Sequence, residues 1–152
     1  MAYTTAEGRQ EVLASVAEAA NELALASACL AAAYELLDER SGDMLEEACF
    51  RPVQRAYGRA QRTHNEFAAR HRLQAASFEA PSAGPPSQGA AAFVTRAVEA
   101  AAAADRALAE LQDSMLPVEA GDAELRAGIA AVREPLASVP AGARGFLRGL
   151  GR

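Results

Sequence analysis

The sequence contains no lysine and no tryptophan, and aromatic residues are scarce. All 15 basic residues are arginine, against 20 acidic residues, so the formal net charge is −5. An acidic chain lacks the overall positive field of a general nucleic-acid binder, which leaves only a local basic face for such a role. With aromatics at 5%, the core must be filled mainly by Ala, Leu and Val. The lysine-free, alanine-rich composition indicates a bacterial genome of high GC content.

The sequence also has no secretion signal, no long apolar run and no cysteine framework. Its start, MAYTTAEGRQ, shows neither the basic nor the apolar region of a signal peptide. The apolar run from Leu23 to Ala33 is shorter than a bilayer span, and Glu22 and Glu35 flank it. Cys29 and Cys49 lack CxxC spacing, which predicts free, buried thiols. We therefore predict a cytoplasmic protein with no membrane segment.

Three segments carry apolar residues in alternating steps of three and four. This spacing keeps the apolar residues on one face of a helix, so each segment is predicted to form an amphipathic helix. The stripes are Leu13, Val16, Ala20, Leu23, Ser27, Leu30, Tyr34 and Leu37, then Val94, Ala97, Ala101, Ala104, Leu108, Leu111 and Met115, then Leu125, Ile129, Val132, Leu136 and Val139.

Local signals predict the ends of the first two helices. Thr4-x-x-Glu7 fits a capping box, and the first helix is predicted to run from there to Arg40. Ser41-Gly42 is predicted to form the turn, and the second helix to run from residue 44 to 78. Pro52 lies inside this helix and predicts a kink at residues 48–52, because proline has no N–H to donate.

The rest of the chain is predicted to form a second, shorter hairpin. Residues 80–89 (APSAGPPSQG) read as a flexible linker, and helices are predicted at 90–115 and 123–134. The tail 140–152 is predicted to be frayed; the alternative is a short docked turn through its apolar Phe146, Leu147 and Leu150. The sum is an all-α, antiparallel four-helix bundle in one domain over residues 1–152, made of hairpins 4–78 and 90–139.

The longer first hairpin is predicted to extend past the second at its turn, and that end is apolar. A single chain does not supply enough partners for this surface, and exposed apolar area favours association. We therefore predict a homodimer. The candidate interface residues are Leu30, Tyr34, Leu37, Met44, Leu45 and Phe50.

The histidines are His64 and His71, which share the apolar stripe of the second helix with Tyr57. Residues seven apart lie about 10 Å apart along a helix, too far for one metal, and no metal ligands are predicted. Glu18 and Glu11 fall level with them but on the far face of the first helix. We favour imidazoles that bond a carbonyl, a carboxylate or water at the edge of the core; the alternative is a ligand site around all three residues.

Five arginines form a basic stripe on the opposite face of the second helix: Arg51, Arg55, Arg59, Arg62 and Arg70. We call the first four the arginine ridge. One interpretation is contact with an acidic partner. The interpretation we favour is a solvated or internally paired face. Nucleic-acid binding is not expected, because aromatic residues do not interleave with these arginines and no helix-turn-helix spacing occurs.

No catalytic motif is present: the sequence contains no GxSxG, P-loop, GxGxxG or HExxH. No catalytic residue and no cofactor are predicted. Two functional hypotheses follow. The first is a non-enzymatic helical bundle that acts by protein–protein association, as a homodimer. The second is a small-molecule or metal-binding bundle with its site around His64 and His71.

Overall fold

The computed structural model describes residues 4–150, and within this range the chain is all-helical, without strands. Short helical elements alternate with long ones. In chain order they are α1 (Thr5–Glu35), α2 (Glu39–Leu45), a π-helical segment (Glu46–Phe50), α3 (Arg51–Arg70), a 3₁₀ turn (Pro86–Gln88), α4 (Ala90–Asp113), α5 (Leu116–Glu119), α6 (Ala123–Leu136) and α7 (Val139–Leu150).

The long helices pack around one hydrophobic core. Helix α1 packs along both α3 and α4, and α3 also packs along α6. Many of the buried side chains are alanine, as the composition indicates. The largest fully buried side chains include Leu23, Phe67, Phe93, Leu108 and Ile129.

The predicted start of the first helix is confirmed. The Thr4 hydroxyl accepts a hydrogen bond from the Glu7 N–H at 3.1 Å, and the Glu7 carboxylate accepts one from the Thr4 N–H at 3.3 Å. This capping box satisfies two backbone donors that the first turn of a helix otherwise leaves without a partner.

The predicted turn at Ser41-Gly42 is wrong, since the chain turns earlier, at residues 36–38. Asp38 caps α2, because its carboxylate accepts a hydrogen bond from the Ser41 N–H at 2.8 Å. Gly42 instead lies buried within α2 under the ring of Tyr34. A Cβ at Gly42 would lie 3.0 Å from Cε2 of that ring.

Where the sequence predicts a kink, at residues 48–52, the structure has a π-helical turn over Glu46–Phe50. The Arg51 N–H donates to the Glu46 carbonyl, five residues back instead of four. Proline cannot donate to the carbonyl four residues before it, here that of Ala48, and its ring crowds that carbonyl in a regular α-helix. The wider turn accommodates Pro52 without ending the helical rod.

The second helix ends at Arg70 instead of the predicted Phe78. Arg72 adopts a left-handed conformation (φ 57°), and the Leu73 N–H donates to the Ala68 carbonyl at 2.8 Å. This is a Schellman motif with arginine where glycine is usual. The segment from Leu73 to Pro85 has no regular structure, and Phe78 folds back onto α3. The connection between the two halves is therefore longer than the predicted linker 80–89.

The tail predicted to be frayed forms α7 over its described residues; residues 151 and 152 lie outside them. Val139, Ala143 and Phe146 are buried, and α7 packs on α2, α4 and the π-helical segment. A Cβ at Gly142 would lie 2.5 Å from the Ala48 carbonyl oxygen, so glycine permits this close approach. The protein thus covers with its own last helix much of the apolar end that the sequence assigned to a partner.

Helix α1 is long and apolar enough to cross a membrane on length and composition alone, and half of that apolar window is buried inside the fold. A helix at the core of a soluble protein has the same properties.

Candidate functional site

The most connected polar cluster joins the end of α3 to the start of α6. Asp122 caps α6 by accepting a hydrogen bond from the Leu125 N–H at 2.7 Å. The same carboxylate accepts two bonds from the Arg70 guanidinium, at 2.8 and 2.9 Å. Nε2 of His71 donates to Asp122 Oδ2 at 2.9 Å. One carboxylate therefore holds three groups from two helices.

The charges of this cluster stabilise each other. Burial raises the pKa of Asp122, but the hydrogen bonds from Arg70, from the Leu125 N–H and from His71 outweigh it and hold that pKa well below its usual range. The bonds to Asp122 likewise raise the pKa of Arg70. Both groups are charged across the physiological range, so Asp122 and Arg70 form a permanent ion pair.

The other histidine, His64, is 1% exposed. Its Nδ1 lies 3.1 Å from the Asn65 Oδ1 atom, and the edge of Phe78 packs against its ring with centroids 4.8 Å apart. Within residues 4–150 its Nε2 atom has no hydrogen-bond partner. A carbonyl oxygen only accepts hydrogen bonds, so Nδ1 is the donor in the contact with Asn65.

The structure gives the predicted ligand residues separate partners. His71 bonds a carboxylate, in line with the interpretation favoured above, but that carboxylate belongs to Asp122 and not to Glu11 or Glu18. His64 bonds an amide of its own helix, and Tyr57 is half-buried against the core. Within residues 4–150 no three His, Cys, Asp or Glu side chains converge as metal ligands.

The arginine ridge is divided into paired and unpaired members. Arg51 bonds Glu47 at 2.8 Å, and Arg59 bonds Glu134 at 3.0 Å. Arg55 and Arg62 are exposed and form no ion pair with the described residues. The basic surface predicted from the sequence is therefore not continuous, because Glu47 of the π-helical segment and Glu134 of α6 pair with two of its arginines.

Arg59 has a second partner that only the folded chain provides. Its Nη1 donates to the Ala131 carbonyl oxygen at 2.8 Å. This carbonyl has no helical donor, because the residue four positions later is Pro135, inside α6. This member of the arginine ridge thus donates within the fold, to a carbonyl oxygen that a proline leaves without a partner.

Beside Arg59, a groove of about 300 Å³ runs between α3 and α6. Thr63 and Gly128 form its floor, where a Cβ on Gly128 would lie 2.5 Å from the Thr63 hydroxyl. Charges of both signs line its walls, so it offers no net preference for an anion or a cation. The charged lining residues are Arg59, Arg62, Glu66, Arg70, Glu124 and Glu134.

The thiols do not add a reactive group. Cys29 and Cys49 are free and buried, as the sequence predicts. Burial raises the pKa of Cys49 to about 11, and it raises that of Cys29 as well. At neutral pH both are protonated, and a thiol is a poor nucleophile compared with a thiolate.

The predicted interface residues separate by burial. Leu30 and Leu45 lie in the core, at 1% and 0% exposure, so they are not on the surface of the folded chain. Leu37 and Phe50 are half-buried. Tyr34 and Met44 are exposed, at 38% and 48%. The sequence pattern marks this end correctly as apolar, but it does not reveal that α7 covers part of it.

Met44 also lines a groove that the sequence does not predict. Between α2 and α7 it measures about 360 Å³, and Met44, Phe146 and Leu150 supply its apolar walls. Arg40, Ser41 and Gly149 complete its lining. We call this surface the α2–α7 groove. It requires α7 to be a docked helix, whereas the sequence indicates at most a short docked turn through Phe146, Leu147 and Leu150.

Comparison of the chain with protein-family models, with curated proteins and with solved structures finds no match.

Proposed function

We propose that this is a non-enzymatic, cytoplasmic protein that acts by protein–protein association and pairs with a second copy of itself. In this proposal the four longest helical parts, α1, α2–α3, α4 and α6, form an antiparallel four-helix bundle of two hairpins. Support for that arrangement comes from the packing of α1 along α3 and α4 and of α3 along α6.

The observation that carries the proposal is the concentration of large exposed apolar side chains at one end. Tyr34, Leu36, Met44 and Leu150 are 36–48% exposed, and they come from the end of α1, the turn after it, α2 and α7. Each 100 Å² of apolar surface removed from water contributes about 2.5 kcal/mol. Large apolar groups gathered at one end are typical of an interface, whereas single ones are common on any protein.

The polar features support a binding role over catalysis. The buried thiols are protonated, Asp122 and Arg70 stay charged as an ion pair, and the α3–α6 groove balances its charges. An enzyme of acid–base type needs a group whose pKa lies near the working pH and which reaches a substrate.

The test is the molar mass in solution. Light scattering after size exclusion at micromolar concentration is expected to give twice the chain mass of 15.8 kDa. Met44→Asp together with Leu150→Asp is expected to give a monomer with unchanged helical content. The matched control is Met115→Asp with Val118→Asp, which changes two apolar residues that are 58% and 62% exposed elsewhere. The control is expected to stay dimeric, and a wild-type monomer contradicts the proposal.

A second candidate function is a ligand site around Tyr57, His64 and His71, and one observation favours it. Nε2 of His64 is a buried nitrogen without a partner among the described residues, and such a group has unused capacity to bind. The test is titration of untagged protein with zinc or nickel, followed by calorimetry. Binding that His64→Phe abolishes and His71→Phe preserves supports the site, while a wild-type protein that binds no metal counts against it.

A further inference from the structure

Charge separates sharply across the α2–α7 groove. Within α7 the charged residues are Arg144 and Arg148, both exposed, and the helix has no acidic residue. Neither arginine forms an ion pair with any residue from 4 to 150. Helix α7 therefore presents a purely positive outer face, although the whole chain has a net charge of −5.

The other side of the groove is acidic. A shallow depression on α2 is lined by Asp38, Glu39 and Asp43, together with Arg40 and Met44. Arg40 and Met44 also line the α2–α7 groove, so the two depressions share a wall. The acidic side chains are exposed, and their carboxylates form no ion pair with the described residues. A patch of net negative charge, a groove with apolar walls that Arg40 also lines, and a positive helix thus follow one another across this end.

From this order of charges we infer that the partner at this end is a second copy in a two-fold arrangement, with Arg144 and Arg148 of each copy against Glu39 and Asp43 of the other. The inference rests on the proposed function. A two-fold contact requires a surface complementary to itself. Here a rotation that lays α7 on the other copy's α2 also lays the other α7 on the first α2, and the apolar walls of the two grooves meet between them.

An anionic membrane fits this surface less well. A basic amphipathic helix binds anionic lipid through its apolar face and its positive charge. In α7 that apolar face is already buried in the fold through Val139, Ala143 and Phe146. The acidic patch of α2 lies next to it and would be held against lipid of the same charge. A second copy matches both charges at once.

The experiment is a charge exchange between two variants. One carries Arg144→Glu with Arg148→Glu, so both of its patches are negative. The other carries Glu39→Arg with Asp43→Arg, so both are positive; Asp38 is kept because it caps α2. Each variant alone is expected to dissociate at least about tenfold more readily than wild type, since like charges face each other. A mixture of the two is expected to recover wild-type affinity, because both contacts again join opposite charges.

The control is Arg55→Glu with Arg62→Glu, which makes the same change of charge at two unpaired arginines of α3. It is expected to leave the dimer intact, and circular dichroism checks that every variant folds. A dimer that resists the α7 changes, or a mixture that does not recover, overturns the charge pairing while self-association stands. A wild-type monomer overturns the proposed function itself. A monomer that binds vesicles containing phosphatidylserine overturns both and identifies the surface as a membrane contact.

Discussion

The guanidinium of Arg59 donates to the carbonyl oxygen of Ala131, 72 residues later in the chain. The bond exists because Pro135 deprives that carbonyl of its helical donor. It ties α3 to α6 at the point where α6 lacks a backbone hydrogen bond. A side chain on the surface of one helix thereby completes the backbone hydrogen bonding of another.

We expect Arg59→Met to lower the free energy of unfolding by about 1 kcal/mol, since a half-buried acceptor loses its donor. Methionine retains much of the apolar stem, so the packing loss is small. The measurement is urea denaturation followed by circular dichroism. Arg55→Met is the control at an unpaired position on the same helix, and equal effects of the two changes would contradict the role assigned to Arg59.

Asp122 is expected to make stability depend on pH in acid. Its pKa in the folded protein lies below the value near 4 of an unfolded chain, so its contribution is present above about pH 4 and is lost as the pH falls below that. Asp122→Ala, which removes the cap and the ion pair, is expected to cost about 2 kcal/mol at pH 7. Denaturation of both proteins at pH 7 and pH 3 measures the difference, which is expected to shrink in acid. A constant difference would contradict the assignment.

Gly142 is expected to control the docking of α7. Gly142→Ala places a Cβ against the Ala48 carbonyl and is expected to destabilise the protein by about 1–3 kcal/mol, as other overpacked contacts do. Gly145→Ala is the matched control, because its Cβ would meet only the end of the Arg148 side chain, at 3.9 Å. Trypsin cleavage at Arg144, followed by mass spectrometry, is expected to accelerate in the first variant and to slow in the second.

The contact of α3 with α6 offers a parallel test. Gly128→Ala is expected to cost about 1–3 kcal/mol, because Thr63 occupies the space of the new methyl group. Gly58→Ala has nothing within 4 Å of its Cβ and is expected to stabilise the protein by about 0.5–1 kcal/mol through helix propensity. Adding Thr63→Ala to Gly128→Ala is expected to recover part of the loss. Thermal melting measures all three, and independent, additive effects would rule out this contact.

Arg72 occupies a left-handed position that favours glycine. Arg72→Gly is expected to raise the free energy of unfolding by about 0.5–1 kcal/mol, since the strain of a side chain at φ 57° is removed. The side chain is exposed, so little packing is lost. Chemical denaturation gives the comparison, with Arg55→Gly inside α3 expected to act in the opposite direction. A loss of stability in Arg72→Gly would show that the arginine makes a contact of its own.

These elements also show what the sequence can predict. The capping box at Thr4 and the irregularity at Pro52 follow from local chemistry, because their partners lie within a few residues. The end of α3 does not, since Arg72 stands where glycine would mark the turn. Helix α7 contains proline and glycine, which oppose a helix, and tertiary packing overrides that preference.

The candidate sites follow the same division. The apolar character of the α1–α2 end is visible as periodicity, which is why Tyr34 and Met44 were identified. The bond of His71 to Asp122 depends on how α6 is rotated against α3, and periodicity within either helix leaves that rotation open. The α2–α7 groove joins residues about a hundred positions apart, and only the docked tail brings them together.

The π-helical segment absorbs one residue more than a regular turn would, so it sets the relative phase of α2 and α3. In a regular helix each residue turns the chain by about 100°, and removing one residue would rotate everything after it away from the core. Here the removal of one residue, such as Glu47, together with Pro52→Ala, would convert the wide turn to a regular one and keep Leu45 and Val53 facing inward. Helix α1 has no π-helical turn that could become regular, so the same deletion in its middle would turn half of its apolar stripe toward water. We therefore expect the fold to tolerate the loss of one residue at 46–50 and not in the middle of α1.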